Sequence, residues 1–157
     1  MRRLIVSALV VALAASAALA GLAFAASSPT KPATVKTRHV SLGTIIVDGK
    51  SHTLYLFEKD KHGKSAKSAC SGACAQNWPP LLTKGKPKAS GSAKASKLGT
   101  TKRSDGTTQV TYGGWPVYTF VADKNKPGST KGEGVDAFGA EWYVVGTNGK
   151  KIEKEGS

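Results

Sequence analysis

A chain of 157 residues has room for one domain, and its formal net charge of +13, from 23 Lys and Arg against 10 Asp and Glu, points to anionic surroundings. Hydrophobic residues make up 39% of it, but the first 25 positions hold many of them, so the remainder has only a modest core. With 18 Gly and 7 Pro, that remainder fits a turn-rich β domain and leaves no material for a second one.

The chain opens with Met1-Arg2-Arg3, an apolar run and then Ala23-Phe24-Ala25: a charged start, a hydrophobic stretch and a small-x-small cleavage site. Residues 1–25 are therefore expected to be a signal peptide for export, cut after Ala25. The competing reading is an uncleaved anchor, because residues 4–26 just suffice to cross ~30 Å of hydrocarbon at about 1.5 Å per residue. Arg2-Arg3 runs into Leu4-Ile5 without a fuller twin-arginine motif, and no Cys near Ala20-Gly21 is available for a lipid. Residues 26–37 are small, polar and Pro-bearing, the composition of a disordered linker.

Residues 38–157 read as one small, compact all-β domain of two diverged repeats, about 42–86 and about 98–150, joined by a Lys-rich loop at about 84–97. Leu42-Gly43-Thr44 returns as Leu98-Gly99-Thr100, and Tyr55, Phe57 and Asp60 return as Tyr118, Phe120 and Asp123. One inserted residue later, Trp78 matches Trp142, and Thr83, Gly85 and Lys86 match Thr147, Gly149 and Lys150. Strands are predicted over 44–47, 53–57, 109–112, 116–121 and 142–145, all rich in β-branched and aromatic residues. Both faces of 54–57 and of 117–121 are apolar, so both strands should be covered on two sides and should pair near the centre. Asp48-Gly49 and Asp105-Gly106 read as hairpin turns. Residues 68–78 lack strand character and suggest a short helical turn around Cys70 to Trp78.

Cys70 and Cys74 are close enough in sequence for a disulfide, whose Cα atoms must approach within ~4.4 to 6.8 Å, and an exported chain should carry it oxidised. The sharper alternative is redox or metal handling, with His62 as a third ligand, but a structural zinc site wants four ligands at recognisable spacing. Haem attachment does not fit, since Ala75 follows Cys74. Asp60 and Asp123 are the raw material for acid/base work or cation binding if they meet; more ordinarily, each closes a turn by accepting backbone N–H groups. His39, His52 and His62 are scattered and read as surface residues. The aromatics fall at strand spacing and belong to the core. Trp115, in the turn-like Gly113-Gly114-Trp115-Pro116, has the least strand support and is the expected exposed ring and a candidate ligand contact beside the default core role.

These residues resemble a family of bacterial secreted and lipoprotein repeats of unassigned function, described by a Tyr-x-aromatic-x-x-Asp motif. The motif stands here as Tyr55, Phe57, Asp60 and as Tyr118, Phe120, Asp123. Cys70-Ser71-Gly72-Ala73-Cys74 with Trp78-Pro79-Pro80-Leu81, and the segment from Gly132 to Tyr143 with its Gly132, Gly134, Phe138, Gly139 and Trp142, are similar to further elements of that family. The resemblance implies no enzymatic activity. Many relatives carry a lipidated Cys after the leader, which this chain lacks.

Between residues 59 and 103 stand ten Lys and Arg103, with Asp60 as the only carboxylate. Lys is a flexible, well-hydrated point charge suited to loose contact with a polyanion. Nucleic acid is a poor fit, because residues 84–103 have no aromatic to stack a base and a single Arg for bidentate contacts. The expected protein is a monomeric, non-enzymatic module without metal or cofactor, secreted or held at the cell surface. It would meet an anionic envelope polymer or membrane surface through Lys84, Lys86, Lys88, Lys94 and Lys97. Redox or metal handling through Cys70 and Cys74 is the alternative, and an extracytoplasmic enzyme comes last for want of a nucleophile or base in a recognisable setting.

Overall fold

The computed structural model describes residues 29–152. The expected signal peptide, and the start of the expected linker, lie outside the described residues. Nine short strands dominate: β1 (Thr34–Val40), β2 (Gly43–Asp48), β3 (Tyr55–Phe57), β4 (Lys88–Ala89), β5 (Leu98–Lys102), β6 (Thr108–Tyr112), β7 (Trp115–Pro116), β8 (Val135–Ala137) and β9 (Ala140–Val144). The one α-helix among the described residues, α1 (Ala73–Asn77), falls inside the helical turn expected from the sequence. Three small sheets result, ordered β2-β1-β4, β3-β9-β8 and β5-β6-β7.

The two repeats are intertwined rather than side by side. Each begins with an antiparallel hairpin, β1–β2 in the first and β5–β6 in the second. Each then sends its last strand into the other repeat. Tyr55 and Phe57 of β3 pair with Val144 and Trp142 of β9, and Tyr118 bridges Pro80 in the converse direction. Ile45 bridges Gly146, and Gln109 bridges Leu82. The backbone bonds repeat in the same manner: Ile46 N–H to Val145 O at 3.0 Å has its counterpart in Val110 N–H to Leu81 O at 2.8 Å. At the centre the two motif strands meet as expected, Tyr55 and Tyr118 exchanging N–H···O bonds of 2.8 and 3.0 Å.

Alternation along these strands feeds two cores. Tyr55 and Phe57 join Ile45, Val47, Trp78, Tyr118, Trp142 and Val144 on one side. Leu54 and Leu56 join Val35, Ile46, Val110, Tyr112, Val117 and Val145 on the other. Residues 54–57 are thus fully covered on both faces, because a strand threaded between two cores has no solvent side. The second motif strand stops sooner than predicted. After Phe120 the chain turns into a 3₁₀ turn, Val121–Asp123, which leaves Val121 49% exposed.

Two segments that read as loop or linker carry structure. Thr34 to Thr37 belong to β1, held by six register pairs with β2 although Val35 is its only buried side chain; a strand with so little burial shows no apolar period in its sequence. Within residues 84–97, β4 runs parallel to β1 through Lys88 N–H to Ala33 O at 2.8 Å, and a second 3₁₀ turn covers Ala95–Lys97.

Candidate functional site

The motif residues assemble into one buried constellation, and they do so across the repeat boundary. The Tyr55 hydroxyl donates to Asp123 Oδ2 at 2.7 Å, and the Tyr118 hydroxyl donates to Asp60 Oδ2 at 2.7 Å. Each Asp also closes a turn, as expected: Asp60 Oδ1 accepts from Ala69 N–H at 2.7 Å, and Asp123 Oδ1 accepts from Lys131 N–H at 3.1 Å and from Ser129 Oγ at 2.7 Å. No hydrogen bond joins the two carboxylates to each other.

Between the tyrosines runs a continuous stack of four rings in the order Phe57, Trp142, Trp78, Phe120, with centroid spacings of 4.1, 4.0 and 3.9 Å and nearly parallel planes. Tyr55 meets Trp78, and Tyr118 meets Trp142, edge to face at 5.4 and 5.1 Å. Offset and edge-on aromatic pairs contribute about 0.5–1.5 kcal/mol each beyond the area they bury. Gly132 lies against this cluster because nothing larger fits: a Cβ there would come within 2.7 Å of Tyr55 Cε1 and 2.8 Å of Trp78 Cη2.

Burial and the neighbouring carboxylates raise both tyrosine pKa values, Tyr55 through its bond to Asp123 and Tyr118 through the charge of Asp60. Burial likewise pushes the Asp60 carboxyl up to about 6, against the opposing pull of the Ala69 N–H, the Tyr118 hydroxyl and the charge of Arg103. In the sequence Arg103 reads as one more surface charge, but it is buried. Its guanidinium donates to Ser68 Oγ at 2.8 Å, Gln109 Oε1 at 2.7 Å and Cys70 O at 2.6 Å. A buried guanidinium needs this many acceptors to offset its lost hydration, and none of Ser68, Gln109 or the Cys70 carbonyl announces itself by sequence spacing.

Cys70 and Cys74 form the expected disulfide, with a Cα–Cα distance of 5.2 Å. Both are buried in the ring-stack core, so a thiol reagent meets neither sulfur while the chain is folded. His62 is exposed and distant in role from the bridge, its ring stacked on Trp115 at 4.2 Å. Trp115 is half-buried between that ring and the second core, and the exposed aromatic is instead Phe138, 42% accessible at the tip of the β8–β9 hairpin. Phe138 has a φ of +62 and Gly139 of +89, the left-handed pair that a two-residue hairpin loop demands. His52 is not a free surface residue, since its Nδ1 lies 3.0 Å from Asp48 Oδ2. His39 remains exposed.

Of the five lysines singled out, Lys84, Lys86, Lys88 and Lys94 are exposed, and Lys97 is half-buried beside Gly149. Among the described residues, no carboxylate is within ion-pair distance of any of them.

The model of one protein family matches residues 36–82 and again 99–146, the two units whose strands interlock here. The chain belongs to this family, a secreted repeat of unknown function. The matched spans carry both copies of the Tyr-x-aromatic-x-x-Asp motif, while residues 83–98, with the five lysines, fall between them. No curated protein and no solved structure matches the chain. In this secreted repeat protein the motif residues therefore have a structural role that their contacts define: they are the interlock of the two repeats.

Proposed function

We propose that this secreted repeat protein is a non-enzymatic module of the cell envelope that associates with an anionic polymer or with lipid headgroups through its lysine-rich surface. The observation that carries this reading is the lack of compensating charge. From residue 59 to 103 the single carboxylate, Asp60, is buried and turned inward to Tyr118, whereas Lys84, Lys86, Lys88 and Lys94 face solvent unpaired with any described carboxylate. Arg103 drops out of the surface charge, which leaves lysines alone. Ammonium groups on flexible stems bind polyanions loosely and with little stereospecificity. At a membrane surface each adds on the order of 1 kcal/mol.

The test replaces Lys84, Lys86, Lys88, Lys94 and Lys97 together with Gln and follows retention of the exported protein on cells across a salt series. The parent should be released as salt shortens the Debye length from about 8 Å, and the variant should be released already at low salt. Equal retention of the two at every salt concentration would reduce the segment to a solubilising connector.

A further inference from the structure

Outside those five lysines, a small closed loop, residues 61–67, gathers unpaired positive charge among the described residues. Its ends, Lys61 and Lys67, form an antiparallel pair with N–H···O bonds of 3.0 and 2.8 Å. Gly63 N–H donates to Gly114 O at 3.0 Å, and Thr101 Oγ1 donates to Ala66 O at 2.6 Å, so the loop is pinned to β5 and to the turn before β7. On it stand Lys61, His62, Lys64 and Lys67, all exposed. The His62 ring lies flat on Trp115 at 4.2 Å.

Two like charges directly across an antiparallel pair oppose folding, and the loop offers no internal remedy. Asp60 is engaged with Tyr118, and Asp105 lies within 3.7 Å of Arg103 Nε. Among the described residues no ion pair reaches Lys61, Lys64 or Lys67. The backbone amides of Lys61, Gly63, Ala66 and Lys67 are all used within the protein, so the charge available to a ligand here is that of the side chains. Three ammonium groups act as point charges, the form in which Lys binds phosphate, and hold it without the fixed bidentate geometry of Arg.

We propose that loop 61–67 is a phosphate-binding site that holds successive phosphate groups of an envelope polymer, a chain of linked phosphates, between Lys61, Lys64 and Lys67, beside the His62–Trp115 stack. This deepens the envelope-binding reading and rests on it for the kind of partner. Each exposed contact is weak alone, so a chain of phosphates, which engages several lysines at once, is bound where a single phosphate is not. Binding also removes the repulsion between Lys61 and Lys67, which couples ligand to fold stability.

The experiment follows the thermal midpoint of the exported protein with linear inorganic polyphosphate and with monomeric phosphate at matched ionic strength, and measures co-sedimentation with phosphatidylglycerol vesicles. Polyphosphate should raise the midpoint of the parent, and monomeric phosphate should not. The apparent affinity, read from the polyphosphate concentration needed for a given shift, should weaken roughly fivefold for each lysine removed in Lys61→Gln, Lys64→Gln and Lys67→Gln. Lys67→Gln alone should raise the ligand-free midpoint at low salt, because it relieves the cross-strand repulsion. A triple variant as responsive as the parent would overturn the site, and so would a five-lysine variant at residues 84–97 that loses the response equally, since the charge would then be diffuse. Vesicle binding without a polyphosphate response would overturn the ligand class. If the five-lysine variant stays on cells while the loop variant is released, residues 84–97 are not the envelope contact and loop 61–67 is. If the loop variant stays while the five-lysine variant is released, the contact lies at residues 84–97 and the loop is not the site.

Discussion

Replacing Tyr55 or Tyr118 with Phe removes one hydroxyl and no ring, so it separates the hydrogen bonds from the packing around them. Besides the crossed bond, Tyr55 also loses its contacts with Gly132 N–H and Ser129 O, both at 3.3 Å, and Tyr118 its contact with Ser68 Oγ at 2.7 Å. Asp123 Oδ2 and Asp60 Oδ2 would each lose a 2.7 Å donor, while their Oδ1 atoms keep Ser129 and Lys131 or Ala69. A hydrogen bond to a charged group contributes about 1.5–3 kcal/mol, so each variant should lose that much, a sizeable part of the roughly 5–15 kcal/mol that holds a domain together. Urea unfolding at unchanged m reads the loss directly. Double-mutant cycles then test the crossing itself: Tyr55→Phe with Asp123→Asn, and Tyr118→Phe with Asp60→Asn, should couple by about 0.5–3 kcal/mol, whereas Tyr55 with Asp60 and Tyr118 with Asp123 should be nearly additive. Stronger coupling within a repeat than between repeats would refute the interlock.

Three further outcomes follow from the same geometry. Either repeat expressed alone should give a circular-dichroism spectrum without β structure, because the last strand of each pairs in the other. The Cys70→Ser/Cys74→Ser pair should unfold with about 2 kcal/mol less stability, the loop-entropy value for so short a ring, and should keep its fold by the same spectrum. Asp60 titrates at about 6 when folded and near 3.9 when unfolded, so the folded chain binds its proton more tightly. The stability from this group is fully present below about pH 4 and is lost as pH rises through about 6, on the order of 3 kcal/mol at about 1.4 kcal/mol per unit. Asp60→Asn should flatten the stability profile over that window, and an unchanged profile would mean that another group sets it.

Pairing of the Tyr-x-Phe strands is legible in the sequence because internal repetition fixes which residues correspond and apolar residues on both faces demand a central place. The crossing of Tyr to the other repeat's Asp is not. A spacing of 63 residues aligns the copies but is silent on whether each Tyr meets its own Asp or its counterpart's, and a turn-closing Asp explains the motif equally well from sequence. β1 is hidden because six ladder pairs, not buried side chains, hold it. Arg103 resembles its lysine neighbours until Ser68, Gln109 and the Cys70 carbonyl converge on it in three dimensions. The exposed ring is Phe138 rather than Trp115, since no local signal shows that loop 61–67 folds over Trp115 or that a Phe occupies the left-handed corner of a hairpin.

What the two repeats share and what they do not are physically different kinds of residue. The shared ones, Tyr, Phe, Asp and Trp, satisfy one another inside: each Tyr has its carboxylate, each Trp its stacked partner, and none presents a free group to solvent. The parts common to both repeats are therefore those whose geometry needs two copies to close. Apart from the buried Cys70–Cys74 bridge, the parts found once lie largely on the surface. After its Asp, the first repeat carries the lysine loop and the disulfide-bearing α1, whereas the second carries the β8–β9 hairpin with Phe138 and with Asp136 and Glu141 opposed across its strands. The basic segment 59–103 lies in and just beyond the first repeat, and residues 132–149 of the second hold three carboxylates and no Lys or Arg. A fold whose interior is common to both halves can change partner only through such unshared surface, so binding should respond to the lysines of the first repeat and of the segment that joins it to the second, and be indifferent to the motif, except through stability.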